Sequence, residues 1–142
     1  MEIKIWEAES KIYANLDASQ MKENHEFKET IDMAENFCVD VKITNFMKKP
    51  IGNHEIFNLK EYDISLNFRS GNEPFFRADN NHGYLHYDFK SGGQPVRESV
   101  QTVEVFTVAE MVSFTFEKVK EIIKWKYPDL GINESDGFIG SC

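Results

Sequence analysis

The sequence predicts an α+β protein, an antiparallel β-sheet of about five strands covered by a C-terminal amphipathic helix and an N-terminal helix. Three observations point there. Two stretches, "CVDVKITNF" (38–46) and "YDISLNFR" (62–69), alternate apolar and polar side chains with the period of two that a half-buried strand requires. Short runs rich in Gly and Asn separate the strand-like segments of the middle third, as tight antiparallel turns do. Finally, "TVAEMVSFTFEKVKEIIKWK" (107–126) repeats apolar residues at helical spacing behind a capping signal. Strands first and an amphipathic helix after them suit a sheet with helices on one face.

In chain order, "IKIWEAESKIYA" (3–14) alternates imperfectly and reads as a long or bent first strand. "SQMKENHEFKETIDMAEN" (19–36) holds good helix formers, no Gly or Pro, and Met21, Phe27, Ile31 and Ala34 in sparse helical spacing, so a surface helix is expected. Residues 38–46 follow as a strand, and "KKPIGNHE" (48–55) breaks regular structure through Pro50 and Gly52. The strand at 62–69 directs Tyr62, Ile64, Leu66 and Phe68 to one side and Asp63, Ser65, Asn67 and Arg69 to the other. Then come a turn "SGNE", a short strand "PFFRA", a turn "DNNHG" and a strand "YLHYDF", together a meander. "KSGGQP" (90–95) reads as a flexible loop and "ESVQTVEVF" (98–106) as an edge strand. In the last helix the Thr107 hydroxyl can accept from the Glu110 amide while the Glu110 side chain reaches back, and Pro128 ends the run. Residues 129–142 read as a flexible tail in which Phe138 and Ile139 could dock.

Residues 1–142 are enough for a single domain with a real core, to which 12 Phe, 5 Tyr and 2 Trp bring large apolar areas. No apolar run is long enough to cross a bilayer, and "MEIKIWEAES" carries charges where a signal peptide needs an unbroken apolar core, so the expectation is a cytoplasmic protein with no membrane partner. Cys38 and Cys142 form no disulfide framework or zinc pair and read as free thiols. Nothing calls for a cofactor. The net charge of −8 argues against a general nucleic-acid-binding surface. That charge is unevenly spread: residues 1–36 hold four lysines and nine acids, residues 98–142 four and eight, while residues 37–97 hold eight cations and seven acids and all three arginines, Arg69, Arg77 and Arg97. An anion, if one is handled, is expected in that middle third.

Chemistry therefore centres on "RADNNHGYLHYDF" (77–89). With strand periodicity, Leu85, Tyr87 and Phe89 face the core while Tyr84, His86 and Asp88 face away; the preceding strand sets Phe75, Arg77 and Asp79 together. One patch could hold Arg77, Asp79, Asn80, His82, His86 and Asp88. Such a set suits RNA cleavage without a metal, His82 and His86 serving as base and acid, Arg77 facing the charged phosphorane and Asp79 orienting an imidazole. It also suits metal binding by His82, His86 and Asp88, or recognition of a partner by a charged sheet face. A solvated polar hairpin is the plainest alternative, since Asn and Gly tolerate left-handed backbone. Asn80, Asp88 and Arg69 are the candidate binding groups. As an exposed strand residue, His86 should be removable without unfolding the protein.

The order of "YDISLNF", "FFRADNNHGYLHYDF" and the capped "TVAEMVSFTFEKVKEII" resembles the TumE-like family of small toxin proteins, over residues 62–123. The core "R-x-D-N-x-H-G-x-x-H" carries the likeness; Ala78 stands where an aromatic residue is more usual, and residues 1–60 match nothing in the pattern. The resemblance implies that Arg77, Asp79, Asn80, His82 and His86 form the polar centre, that an antitoxin is the partner and that RNA is the target. The leading expectation is a toxin-like protein of a toxin–antitoxin or defence system acting as a metal-independent ribonuclease; the alternative is a non-catalytic protein-interaction module.

Overall fold

The alternating segments are strands, and the register between them places the polar groups. In the computed structural model, residues 2–19, 26–45, 62–81, 84–91, 93–99 and 107–132 are described. The elements are β1 (Glu2–Ile3), α1 (Ile5–Ser19), β2 (Glu26–Ala34), β3 (Phe37–Asn45), β4 (Tyr62–Ser70), β5 (Glu73–Asp79), β6 (His86–Ser91), β7 (Gln94–Ser99), α2 (Val108–Lys126) and β8 (Gly131–Ile132). Strands β2 to β7 make a six-stranded antiparallel meander in sequence order, and β1 and β8 form a separate parallel pair. The α+β architecture, with an N-terminal and a C-terminal helix, is the one expected.

Helix α2 is where the periodicity placed it. The Glu110 amide donates to the Thr107 hydroxyl at 3.1 Å, and that hydroxyl donates to the Glu110 carboxylate at 3.0 Å. Val108, Met111, Val112, Thr115, Phe116, Val119, Ile122 and Ile123 are buried. Phe116 meets Phe68 of β4 edge-on, ring centroids 5.5 Å apart, so α2 covers the face that carries Val41, Leu66, Ala78 and Tyr87. Helix α1 joins it there, Tyr13 donating to the Ala109 carbonyl.

The N-terminal third differs from the expected order. Residues 3–14 are mostly helix, because Ile5, Ala8, Ile12 and Leu16 lie three and four apart and all four are buried, a spacing that outweighs the Ile3–Ile5 alternation. The expected helix at 19–36 is, from Glu26, strand β2; residues 20–25 lie outside the described set. Ile31 and Met33 are buried while Thr30 and Asp32 are not, and pairing with β3 overrides the helix propensity of Glu, Lys and Met. Asn36, with φ 66°, supplies the left-handed residue of the β2–β3 turn.

Two further boundaries move. Residues 90–91 and 94–95, expected in a loop, are the ends of β6 and β7, Ser91 opposite Gln94, with Gly93 at φ 81° in the turn. The edge strand is therefore Gln94–Ser99, and residues 100–106 lie outside the described set. Part of the expected tail, Gly131–Ile132, pairs with Glu2–Ile3. The docking suggested for Phe138 and Ile139 falls on residues outside the described set. No described helix is long and apolar enough to cross a membrane.

Candidate functional site

Antiparallel pairing aligns polar residues of successive strands on the face turned away from the helices, here called the far face. One cross-strand row runs Thr30, Asp40, Asn67, Arg77, Asp88, Arg97; the next runs Lys28, Lys42, Ser65, Asp79, His86. Directly opposed side chains in such rows lie about 5 Å apart, within reach of one another.

At the β5–β7 end the two rows interlock. His86 Nε2 lies 2.8 Å from Asp79 Oδ1, and His86 Nδ1 lies 3.5 Å from Asp88 Oδ2. Arg77 Nε stands 3.4 Å from the other oxygen of Asp79, and Arg97 Nε donates to Asp88 Oδ1 at 2.7 Å. The result is a ladder of alternating groups, Arg77, Asp79, His86, Asp88, Arg97. Its middle is buried and its ends are not: the side chains of His86 and Asp79 are 3% and 4% exposed, those of Asp88, Arg77 and Arg97 33%, 49% and 66%. Hydrogen bonding to Asp88 raises the Arg97 pKa above its ordinary value. His86 thus sits on the expected side of the strand but is not the exposed residue expected. It is buried, with Asp79 against its Nε2, so its removal must disturb the fold.

The other sequence candidates divide by surroundings. Asn80 is buried and structural in its contacts: its Oδ1 accepts from the Ile64 amide at 2.8 Å and its Nδ2 donates to the Tyr62 carbonyl at 2.9 Å, holding the end of β5 against β4. Asp79 Oδ1 also accepts from the Asn81 amide at 3.1 Å, an Asx turn leading out of the strand. Arg69 lies on β4 away from this ladder, donating through Nε to Asp40 at 2.8 Å and through Nη1 to the Gly71 carbonyl at 2.7 Å. The Arg69 hydrogen bond holds the Asp40 carboxyl below its usual pKa. His82 lies outside the described residues. Phe75 leaves the group expected with Arg77 and Asp79: a bulge sets Phe68 against Phe76 and Arg69 against Pro74, and Phe75, the extra residue, packs edge-on against Phe37 and Tyr127.

A hollow of 920 Å³ lies beside the ladder, with Arg77, Asp88, Lys90, Arg97, Ser65 and Asn67 among its lining residues. Sequence reasoning placed Arg97 in the segment where an anion was expected but in no site, and gave Ser65 and Asn67 no role. The alternation of Ser65 and Asn67 was visible, but which strand each would oppose depends on register, which alternation leaves open.

Three kinds of chemistry are open to this arrangement. The exposed guanidinium edges can hold an anion. The imidazole, with a carboxylate at each nitrogen, can pass a proton between them. Asp79, His86 and Asp88 could hold a metal, their ligand atoms all lying within 4.8 Å of one another. Against a metal, the two carboxylates face opposite nitrogens of one ring, and a single ion takes only one of these. Both carboxylates are also engaged by arginines. An ionic ladder accounts for the geometry without rearrangement.

The chain matches no known family model, and neither a curated protein nor a solved structure is similar to it.

Proposed function

We propose that this is a small toxin-like protein directed at RNA, and that the hollow between Arg77 and Arg97 receives the phosphate backbone. One observation carries the reading: two exposed guanidiniums stand in the same cross-strand row on either side of Asp88 and line one hollow. Phosphate recognition favours arginine, whose planar fork matches two oxygens at once. That these side chains fall in residues 37–97, which hold eight cations and seven acids while the segments on either side are acidic, supports the same reading.

In this reading His86 is a positioning residue. At 3% side-chain exposure it does not meet a substrate; it holds Asp79 and Asp88, and through them Arg77 and Arg97. Cleavage of the bound strand then requires a second group such as His82.

The test is fluorescence anisotropy with labelled single-stranded RNA, alongside a gel assay for cleavage. Replacing both Arg77 and Arg97 by Ala should weaken binding about tenfold or more, as the loss of two phosphate contacts implies, with an unchanged circular dichroism spectrum. Equal binding by the double variant would overturn the reading. A protein-interaction module is the second reading; it draws on Phe114 and Trp125 of α2, which are 43% and 56% exposed.

A further inference from the structure

We infer that the nucleic-acid site is a track running across the sheet, from Arg97 and Arg77 through Asn67 and Ser65 to Lys42 and Lys28, and that it takes a single extended RNA strand. The inference rests on the RNA reading above and assigns that site its substrate form and its second end.

The second end is a separate hollow of 370 Å³ on the same face, lined by Lys28, Thr30, Asp40, Lys42 and others, and it shares Ser65 and Asn67 with the first. These two short polar side chains lie between the cationic ends, so the hollows meet over a floor that neither blocks nor charges the path. The row through Arg77 crosses from β2 to β7, five strand spacings, or roughly 24 Å at about 4.8 Å per strand. Cations stand at both ends: Arg77, Lys90 and Arg97 at one, Lys28 and Lys42 at the other.

Acidic groups in the trough are largely engaged. Asp40 accepts from Arg69 and from the Thr30 hydroxyl, and Asp88 from Arg97; Glu29, opposite Val41, turns to the helix side and accepts from Asn15 of α1; Glu73 at the rim is the exception among the described contacts. Lys28 and Lys42 are exposed and make no ion pair among the described residues. Together the two hollows are lined by five cations and four acids, an excess of one cation on a chain whose net charge is −8, which favours an anionic polymer on this path. Cations spaced along a line match successive phosphates of an extended backbone, the way single-strand grooves track their ligand.

The experiment compares two oligouridine probes, of roughly four and roughly twelve nucleotides, within the range that single-strand-binding folds occupy. Each is titrated by anisotropy against the wild-type protein and the Lys28→Glu/Lys42→Glu variant. Wild-type protein should bind the long probe more tightly. The variant should lose that gain, about tenfold or more, while holding the short probe as wild type does at the arginine end. Its salt dependence for the long probe should flatten by about 0.7 in log–log slope per lysine. Equal wild-type affinity for both lengths would sink the track, as would a variant that keeps the long-probe gain, a variant that weakens both probes alike, or equal competition by a duplex of the longer length. If wild-type protein binds neither probe, the RNA reading itself fails, and the track with it.

Discussion

On the helix side of the sheet, Val41, Leu66, Ala78 and Tyr87 form one cross-strand row; one position along each strand, Asp40, Asn67, Arg77 and Asp88 form the neighbouring row on the far side. The same strands and the same register therefore build two surfaces with different rules. Helix-side contacts are non-directional, and their worth scales with the apolar area withdrawn from water. Far-side contacts depend on direction and charge, and their worth depends on burial: an exposed ion pair contributes little, whereas a buried ionic group that loses its partner is costly. Stability should thus reside on one face and recognition on the rim of the other, with the Asp79–His86 contact as the place where the far face also bears on stability.

The largest effect is expected on the helix side. Phe116 is fully buried and meets Phe68 edge-on, so Phe116→Ala should cost about 4 kcal/mol in urea denaturation, the sum of lost transfer energy and an imperfectly collapsed cavity. A cost below about 1 kcal/mol would mean that α2 does not pack on β4 as described.

Next comes His86→Ala. The change empties a buried position and takes from Asp79 the imidazole at 2.8 Å, leaving it Arg77 and the Asn81 amide, so a loss of about 2 kcal/mol is expected. The sharper comparison is with Arg97→Ala at the exposed end of the same ladder, where a loss within about 1 kcal/mol is expected although Arg97 and Asp88 are only 2.7 Å apart. Equal losses for the two variants would show that the ladder is surface-like throughout and that the contrast between its middle and its ends is false.

These contrasts also mark how far the sequence could be read. Alternation in 38–46 and 62–69 was legible because one face is buried and the other is not, and α2 was legible because cap, periodicity and Pro128 agree. Residues 3–36 misled because local signals there compete with tertiary ones. Ile3 and Ile5 alternate at the start of what becomes a helix, and Glu26–Ala34 is composed of helix formers that strand pairing overrides. At the site, the polar cluster around His86 was legible as composition. Its burial was not, because alternation assigns a residue to a face without saying what covers that face, and the pairing of Asp79 with His86 depends on a register set by turns and by the bulge at Phe75. Lys28 and Lys42 could not be set on the face of Arg77 for the same reason: the pairings of β3 with β4 and β4 with β5 carry Lys42 there, and that of β2 with β3 carries Lys28 as well.

Tyr87 tests whether the helix side is as free of ionic chemistry as its composition suggests. The residue sits one position from both His86 and Asp88 but points the other way, its ring 5.3 Å from that of Phe76. Burial pushes its pKa from 10.0 up to about 12, an effect only partly offset by the nearby Thr115 side chain of α2. Because the folded value lies above the unfolded one, the tyrosine's contribution is fully present below pH 10 and is lost as pH rises toward 12, when the unfolded chain ionises first. In that window wild-type stability should fall more steeply than that of Tyr87→Phe, the two curves converging by about 1.4 kcal/mol per pH unit. Parallel curves would mean that the phenol reaches water in the folded state, and the helix side would then be open at Tyr87 in the way the far side is open at Arg77.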